Sequence, residues 1–439
     1  MRKLICLLLM LTMLPLPALA EQPETTLMIG GFITADELSE FTRENPDILV
    51  QSVAGEEVYY ETNALIQALT TGDATYDVLV TSTQTINLPS LMEKGFAAPL
   101  DASPLLRETF EGMYPFLKEA VSCEGVCYGL PLYLYNSTLS YFPASFEATG
   151  LDVPASWEEL AALINDFPNQ PEEIREEYEP VMWITQYRDL YFMRMVEAYA
   201  VHMQATGQEL RFDTPLFREL MALVENLTEE NDVEEEREAE PLMQTVDILQ
   251  YGYEDMARLL PLSMGGHTSI GVSATVAIIN PYSEHIPEAI RLLEYLAGHY
   301  TPAVRLTILQ DGNVPVAYEQ YDRIMADWEA EKARLEQALE EGDPADERGD
   351  RDALNQHMQK LEGIERWQHW VLSAETIAAW QEVAPYLIVT QESPLQYQDV
   401  SGQFPAQALM WRYMDGELPT DQFIRQMDEK CQMMLLERQ

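Results

Sequence analysis

The chain has 439 residues, of which 26 are Lys or Arg and 74 are Asp or Glu, giving a formal net charge of −48 at pH 7. A field of that sign repels nucleic acid and anionic lipid and favours solubility, so no nucleic acid is expected as a partner. With 47% hydrophobic residues the chain can bury large cores, and its length points to two domains rather than one.

The N-terminal stretch MRKLICLLLMLTMLPLPALAEQ has a basic start at Arg2 and Lys3, an apolar run from Leu4 to Leu14, and a small-x-small close at Ala18-Leu19-Ala20. That pattern predicts a signal peptide over residues 1–20. The apolar run is shorter than the roughly 20 residues a membrane span needs, and no other run reaches that length. No cysteine follows the cut, so the signal is not of the lipoprotein form. The mature chain, from Glu21, is expected to be exported and soluble, either periplasmic or freely extracellular.

Strands and helices then alternate. TTLMIGGF reads as a strand ending in glycines, and TADELSEFTREN as a short helix with Leu38 and Phe41 inward, stopped before Pro46. ILVQSVAG is a second strand. YYETNALIQALTTGD is a helix with Leu65, Ile66 and Leu69 on its apolar stripe and Gly72 past its end. YDVLVTS is a third strand, apolar enough to be buried on both faces, and LPSLMEKGFAAPL is a helix closed by Gly95. This order predicts an α/β fold with doubly wound sheets.

The stretch CEGVCYGLPLYLYN brings Cys123 and Cys127 close together around a Glu124-Gly125 turn signal. In an oxidising compartment the leading reading is a disulfide pinning a tight hairpin; redox and metal roles are the alternatives, and no further ligands stand nearby. Cys431 sits on the apolar side of a terminal helix with Phe423, Met427 and Met434, where a buried inert thiol is expected. Downstream, PASWEELAALINDF carries a capping box, Ser156 with Glu159. PVMWITQY is strand-like, DLYFMRMVEAYAVHM an apolar-rich helix, and EENDVEEEREAEP a solvated charge run. PEAIRLLEYLAGHY starts with Pro287 in its first turn and places Ile290, Leu293 and Leu296 inward. From 318 to 370 two long charged helices flank EGDPADERGDRD, predicting an inserted helical hairpin with Leu335, Leu339, Met358 and Leu361 inward. The acids of its turn do not fit a calcium loop, so no metal is expected there.

Together these pieces resemble the extracellular solute-binding proteins of ATP-driven importers, the broad group that includes maltose-binding protein. The resemblance is carried by FTRENPDILVQSVAG with ALTTGDATYDVLVTST, by LMEKGFAAPLD, by YGLPLYLYNSTL followed by ATGLDVPASWEEL, and by GVSATVAIINPYSEHIPEAIRLLEYLA. YMDGELPTDQFIRQMDEKCQMML is similar to the group's last helix. The resemblance implies a two-lobed periplasmic-binding-protein-like fold with crossover hinge strands. Residues 21–137 plus 268–316 would form lobe one, and 138–267 plus 317–439, including the hairpin 318–370, lobe two. It also implies solute held in the cleft, a membrane permease as partner, and a monomer.

Ligands of open α/β sheets sit beyond the carboxyl ends of parallel strands. That rule selects Gly31 and Phe32 after the first strand, and Ser82, Thr83 and Gln84 after the third, with Tyr59 opening a helix between them. Tyr133 and Tyr135 alternate with leucines on the strand that leaves lobe one. On lobe two the candidates are Trp183, Tyr187, and Gly266 with His267 in SMGGHTS. Each has a plainer reading: a tight turn for the glycines, helix capping for Ser82 to Gln84, core packing for Tyr59 and Trp183, a surface role for His267. Aromatic faces with placed polar groups suit sugar rings, so carbohydrate is the favoured solute. No H-E-x-x-H, G-x-S-x-G or P-loop occurs, so neither an enzyme nor a cofactor is expected. The alternatives are a secreted carbohydrate-active hydrolase and a docking protein presenting ligand to a membrane sensor.

Overall fold

The computed structural model describes residues 25–31, 33–53, 62–135, 138–181, 187–227, 239–246, 257–341, 358, 370–391, 395 and 404–437. The expected signal segment, Phe32, Tyr59, Trp183, the acidic run after 227 and residues 342–357 and 359–369, on which the rest of the expected helical hairpin falls, lie outside them.

Three parallel strands, β1 (Thr25–Gly30), β2 (Ile48–Val53) and β3 (Val78–Ser82), begin the first sheet, with β1 between β2 and β3. A two-residue hairpin follows, β4 (Ser122–Cys123) with β5 (Val126–Cys127), and then β6 (Gly129–Tyr135). The second sheet takes β7 (Thr138–Tyr141), β8 (Tyr178–Val181), β9 (Glu240–Val246) and β10 (Arg258–Leu259), in the order β10-β7-β9-β8. After a short hairpin, β11 (Ser263–Met264) with β12 (His267–Thr268), the chain returns as β13 (Ile270–Ile279). β13 runs antiparallel to both β3 and β6, and parallel to β16 (Leu387–Val389). All ten residues of β13 are buried, as its near-continuous apolar run IGVSATVAII requires of a central strand.

Asp77 ties the first sheet together at the entry to β3. Its Oδ2 accepts from Met28 N at 2.8 Å and its Oδ1 from Ser283 Oγ at 2.5 Å. A carboxylate 4% exposed is tolerable there because backbone and hydroxyl donors satisfy it.

Two hydrophobic cores result. The first gathers Leu27, Ile29, Phe41, Val78, Val276, Ile278 and Leu292 around the first sheet; the second gathers Trp157, Tyr191, Phe192, Phe217, Met243 and Phe423 around the second. The chain passes from one to the other after β6, returns before β13, and leaves again after β16. Leu372, Ile377, Trp380 and Leu387 belong to the first core, so residues 370–389 do not join the second as expected. The last crossing falls between Val389 and Leu395, not near 315. The reason is local pairing: β14 (Val316–Ala317) and β15 (Trp370–Leu372) form one ladder, so the inserted segment leaves and rejoins the chain at the same place. Its first arm is the helix Tyr321–Glu341.

The expected disulfide is corrected. Cys123 and Cys127 remain separate thiols. The two-residue turn, with Glu124 at φ 52° and Gly125 at φ 81°, sets Cys123 opposite Val126 and Cys127 opposite Ser122. Successive strand positions face opposite sides, so the two cysteines stand on opposite faces of the hairpin, which is held by its β4–β5 pairing and by Tyr128 N donating to Val121 O at 3.0 Å. Cys127 is buried, its Sγ donates to Gly129 O at 3.5 Å, and burial pushes its thiol up to about 12.

Candidate functional site

A pocket of about 490 Å³ lies between the two cores and has a volume typical of a small-molecule site. From the first core it receives Gln84, two residues beyond β3, and Thr390 and Gln391, just beyond β16. From the second it receives one face of the helix Tyr187–Ala205: Met193, Glu197, Ala200, Val201 and Gln204, at the three- and four-residue steps that align side chains. The helix Pro405–Met414 completes the wall with Gln407, Met410, Trp411 and Met414.

The helix Tyr187–Ala205 sits close to the first sheet for an identifiable reason. A Cβ added at Gly271, at the start of β13, would stand 2.4 Å from Val201 Cγ2, so the glycine permits the approach. Gln204 Nε2 then donates to Val389 O at 2.9 Å, bridging the second core to the end of β16.

The chemistry of the pocket is that of neutral hydrogen bonding. Five glutamines line it, Gln84, Gln204, Gln208, Gln391 and Gln407, each able to donate and to accept. Its acid, Glu197, pairs with Arg194 Nη1 at 2.8 Å. Burial pushes the Glu197 carboxyl up, while the guanidinium charge and hydrogen bond oppose this, so the pair brings little net charge to the cavity. Trp411 is 56% exposed although it is one of the largest apolar side chains, and so offers an aromatic face.

A row of hydroxyls crosses the first sheet beside Gln84. Tyr133 of β6 stands opposite Thr275 of β13, which stands opposite Ser82 of β3. Side chains in such register share a face, as do Tyr135 and Ser273 two residues along. Ser82 Oγ bonds Tyr135 OH across β13. The Tyr133 and Tyr135 rings lie 6.3 Å apart. Thr275 Oγ1 is buried and has no hydrogen-bond partner among the described residues.

Of the residues selected from sequence, Gln84 lies in the pocket, and Ser82, Tyr133 and Tyr135 lie in the adjacent row. Thr83 is spent on the sheet, its N donating to Ala274 O and its Oγ1 accepting from Ala274 N, both at 3.0 Å. The next helix is capped by Asn87, whose Oδ1 accepts from Ser90 N at 2.9 Å, so capping by Ser82 to Gln84 does not occur. Gly31 has φ 116°, and a Cβ there would meet Val80 O at 2.3 Å: the position serves close backbone packing. Tyr187 is 4% exposed and packs in the second core. Gly265 and Gly266 supply the positive φ values of the β11–β12 turn, and His267 stands 6.0 Å from the ring of His202. Burial lowers the His202 pKa, and His267 lowers it further. The sequence reading passed over Gln204, Gln391, Gln407 and Trp411. The available signal was Glu197 and Gln204, two polar side chains seven apart and so on one face of the apolar-rich helix Tyr187–Ala205.

Comparisons with known proteins agree with this architecture. The family model described as bacterial extracellular solute-binding protein matches residues 31–299, more than half of the chain. No curated protein matches the sequence. Among solved structures, maltose-bound MalE3 of T. maritima superposes with a TM-score of 0.55 at 14% identity, over 93% of this chain and 100% of that one. A solute-binding protein of Agrobacterium vitis with bound D-mannitol gives 0.52 at 13%, over 94% and 98%. RafE of Streptococcus pneumoniae in its apo form gives 0.52 at 14%, over 93% and 97%. At these identities the likeness is one of fold.

Proposed function

The chain belongs to the bacterial extracellular solute-binding proteins, and from that premise we propose that it captures a neutral carbohydrate between its two cores and delivers it to an ATP-driven importer. The observation that carries this reading is the pocket shared by both cores, with five amide side chains, an exposed tryptophan and an internally paired acid. Amides answer hydroxyls as donors and acceptors alike, and an aromatic face accepts the C–H face of a sugar ring. A cationic solute would meet a carboxylate already committed to Arg194, and an anionic one would find no unpaired basic group on the described lining. Structural neighbours hold maltose and D-mannitol, which accords with a polyhydroxyl ligand.

The three passages of the chain between the cores act as a hinge in this reading. A ligand touching Gln84 and Gln391 on one side and Gln407 and Trp411 on the other favours the closed arrangement, because only that arrangement satisfies both sets of contacts. Phe32, Tyr59 and Trp183 follow the carboxyl ends of β1, β2 and β8, and are proposed to complete the site by the same rule that selects Gln84. The protein is exported, acts as a monomer, performs no chemistry on its solute, and presents it to a membrane permease.

Titration calorimetry on Trp411→Ala and Gln84→Ala tests the assignment. Loss of the tryptophan is expected to weaken sugar binding about tenfold or more, as for a central aromatic anchor. Loss of the amide costs about fivefold, one net hydrogen bond. Unchanged affinity in both variants, with a sugar that binds the wild type, overturns the assignment of this pocket.

A further inference from the structure

Two histidines meet where the pocket-lining helix approaches the first sheet. His202 lies on the helix Tyr187–Ala205, one residue after Val201 and two before Gln204, both of which line the pocket between the cores. His267 opens β12, four residues before Gly271 of β13. Val201 against Gly271 is the close contact between that helix and β13, so one imidazole stands next to each partner of it along the chain.

His202 is 5% exposed, and its Nδ1 has no hydrogen-bond partner among the described residues. Such a site tolerates a neutral ring far better than a cation, which would give up its water with nothing to replace it. The groups around it do not help. A Cβ added at Gly265 would stand 3.7 Å from His202 Cε1 and 3.2 Å from Leu216 Cδ2, so an apolar side chain of the helix Pro215–Glu225 closes that side. On that helix Arg218 is engaged by Asp213 and Asp421, and Glu219 is exposed. On the helix of His202 itself, Glu197 is paired with Arg194. The neighbouring charge that acts on His202 is that of His267, whose ring lies 6.0 Å away at 68°. Burial first, and His267 second, lower the His202 pKa from the ordinary 6.5.

The two sides of the pair differ in freedom. β11 is anchored, with Ser263 N and Oγ donating to Ala155 O at 2.9 and 3.0 Å. The turn itself, Gly265, Gly266 and His267, is exposed, so it is the part that yields when two like charges face each other.

We infer that His202 and His267 form an acid-sensitive release device for the solute: in acid both imidazoles take up protons, the charged pair repels, the exposed turn lifts from the helix, and the Val201–Gly271 and Gln204–Val389 contacts beside the pocket loosen. This rests on the carbohydrate reading above and adds that solute and proton compete. By linkage, a bound solute that holds Gln204 in place must in turn expel the proton.

The test is calorimetry on the full mature chain with a neutral oligosaccharide that binds at about pH 7.5, repeated down to about pH 5 in buffers of different ionisation heat. Wild type is expected to lose about tenfold in affinity over that range, within the limit of tenfold per pH unit that one proton allows, and to release protons on binding near the acid end. His202→Phe should abolish the loss. His267→Gln should keep wild-type affinity at the upper pH and show a smaller loss at the lower one. His267 is exposed, so its variant covers the case in which His202→Phe does not fold. No loss in wild type, or a loss as large in either variant as in wild type, overturns the device and leaves the carbohydrate reading standing. Absence of binding to every sugar at about pH 7.5 overturns that reading, and the device with it.

Discussion

At the scale of single residues, buried polar groups divide into those the fold satisfies and those it leaves costly. Asp77 is of the first kind, with a donor for each oxygen. His202 is of the second: it is 5% exposed, its Nδ1 has no hydrogen-bond partner among the described residues, and burial lowers its pKa below the ordinary 6.5. The consequence for stability follows from linkage. Between the folded pKa and 6.5 the unfolded chain binds the proton more readily, so unfolding stability rises with pH across that window. The contribution is complete above the unfolded value and is lost as pH falls toward the folded one. Urea midpoints taken from about pH 7.5 down to about pH 5 should therefore fall more steeply in wild type than in His202→Phe, which has no proton to bind. Parallel curves would show that His202 is not the group responsible.

At the scale of elements, the β4–β5 hairpin shows how register overrules spacing. Two cysteines four apart read as a staple, yet a two-residue turn puts Cys123 and Cys127 on opposite faces. A reducing agent is expected to leave the thermal unfolding of the native protein unchanged, and Cys123, which is only half-buried, should react with a thiol reagent well before Cys127, whose thiol is held up near 12. A fall of several degrees on reduction would establish the bond after all. Much else at this scale was legible. VLVTS is buried throughout, as its near-continuous apolar run implies, Ser156 caps its helix by accepting from Glu159 N at 3.2 Å, and Gly72 and Gly95 take positive φ past their helices. These features are local, and local chemistry decides them. The candidate site was legible only where strand ends mark it, as at Gln84. Gln391, Gln407 and Trp411 come from segments whose role depends on where the last crossing falls, and that depends on β14 pairing with β15 across more than fifty residues. No pattern within the chain displays such a pairing.

At the scale of the whole molecule, two cores built from interleaved segments share one pocket, and function follows from its placement rather than from any single residue. Gln84 and Trp411 are 327 positions apart in sequence yet line the same cavity. A ligand there contacts both cores and stabilises the folded chain as a unit. The whole chain carries a formal charge of −48, while the described lining of the pocket holds a single acid, Glu197, paired with Arg194, so the overall charge does not set the chemistry of the pocket.

The most direct test is thermal unfolding of the mature chain, from Glu21, in the presence of neutral oligosaccharides, amino acids and polyamines. A ligand that binds only the folded state, present at a hundred times its dissociation constant, stabilises by about 2.7 kcal/mol. A clear upward shift with a neutral oligosaccharide, no shift with amino acids or polyamines, and recovery of the sugar unaltered is the predicted result. A shift produced by a polyamine or an amino acid and not by any sugar, or conversion of the sugar to product, would contradict it.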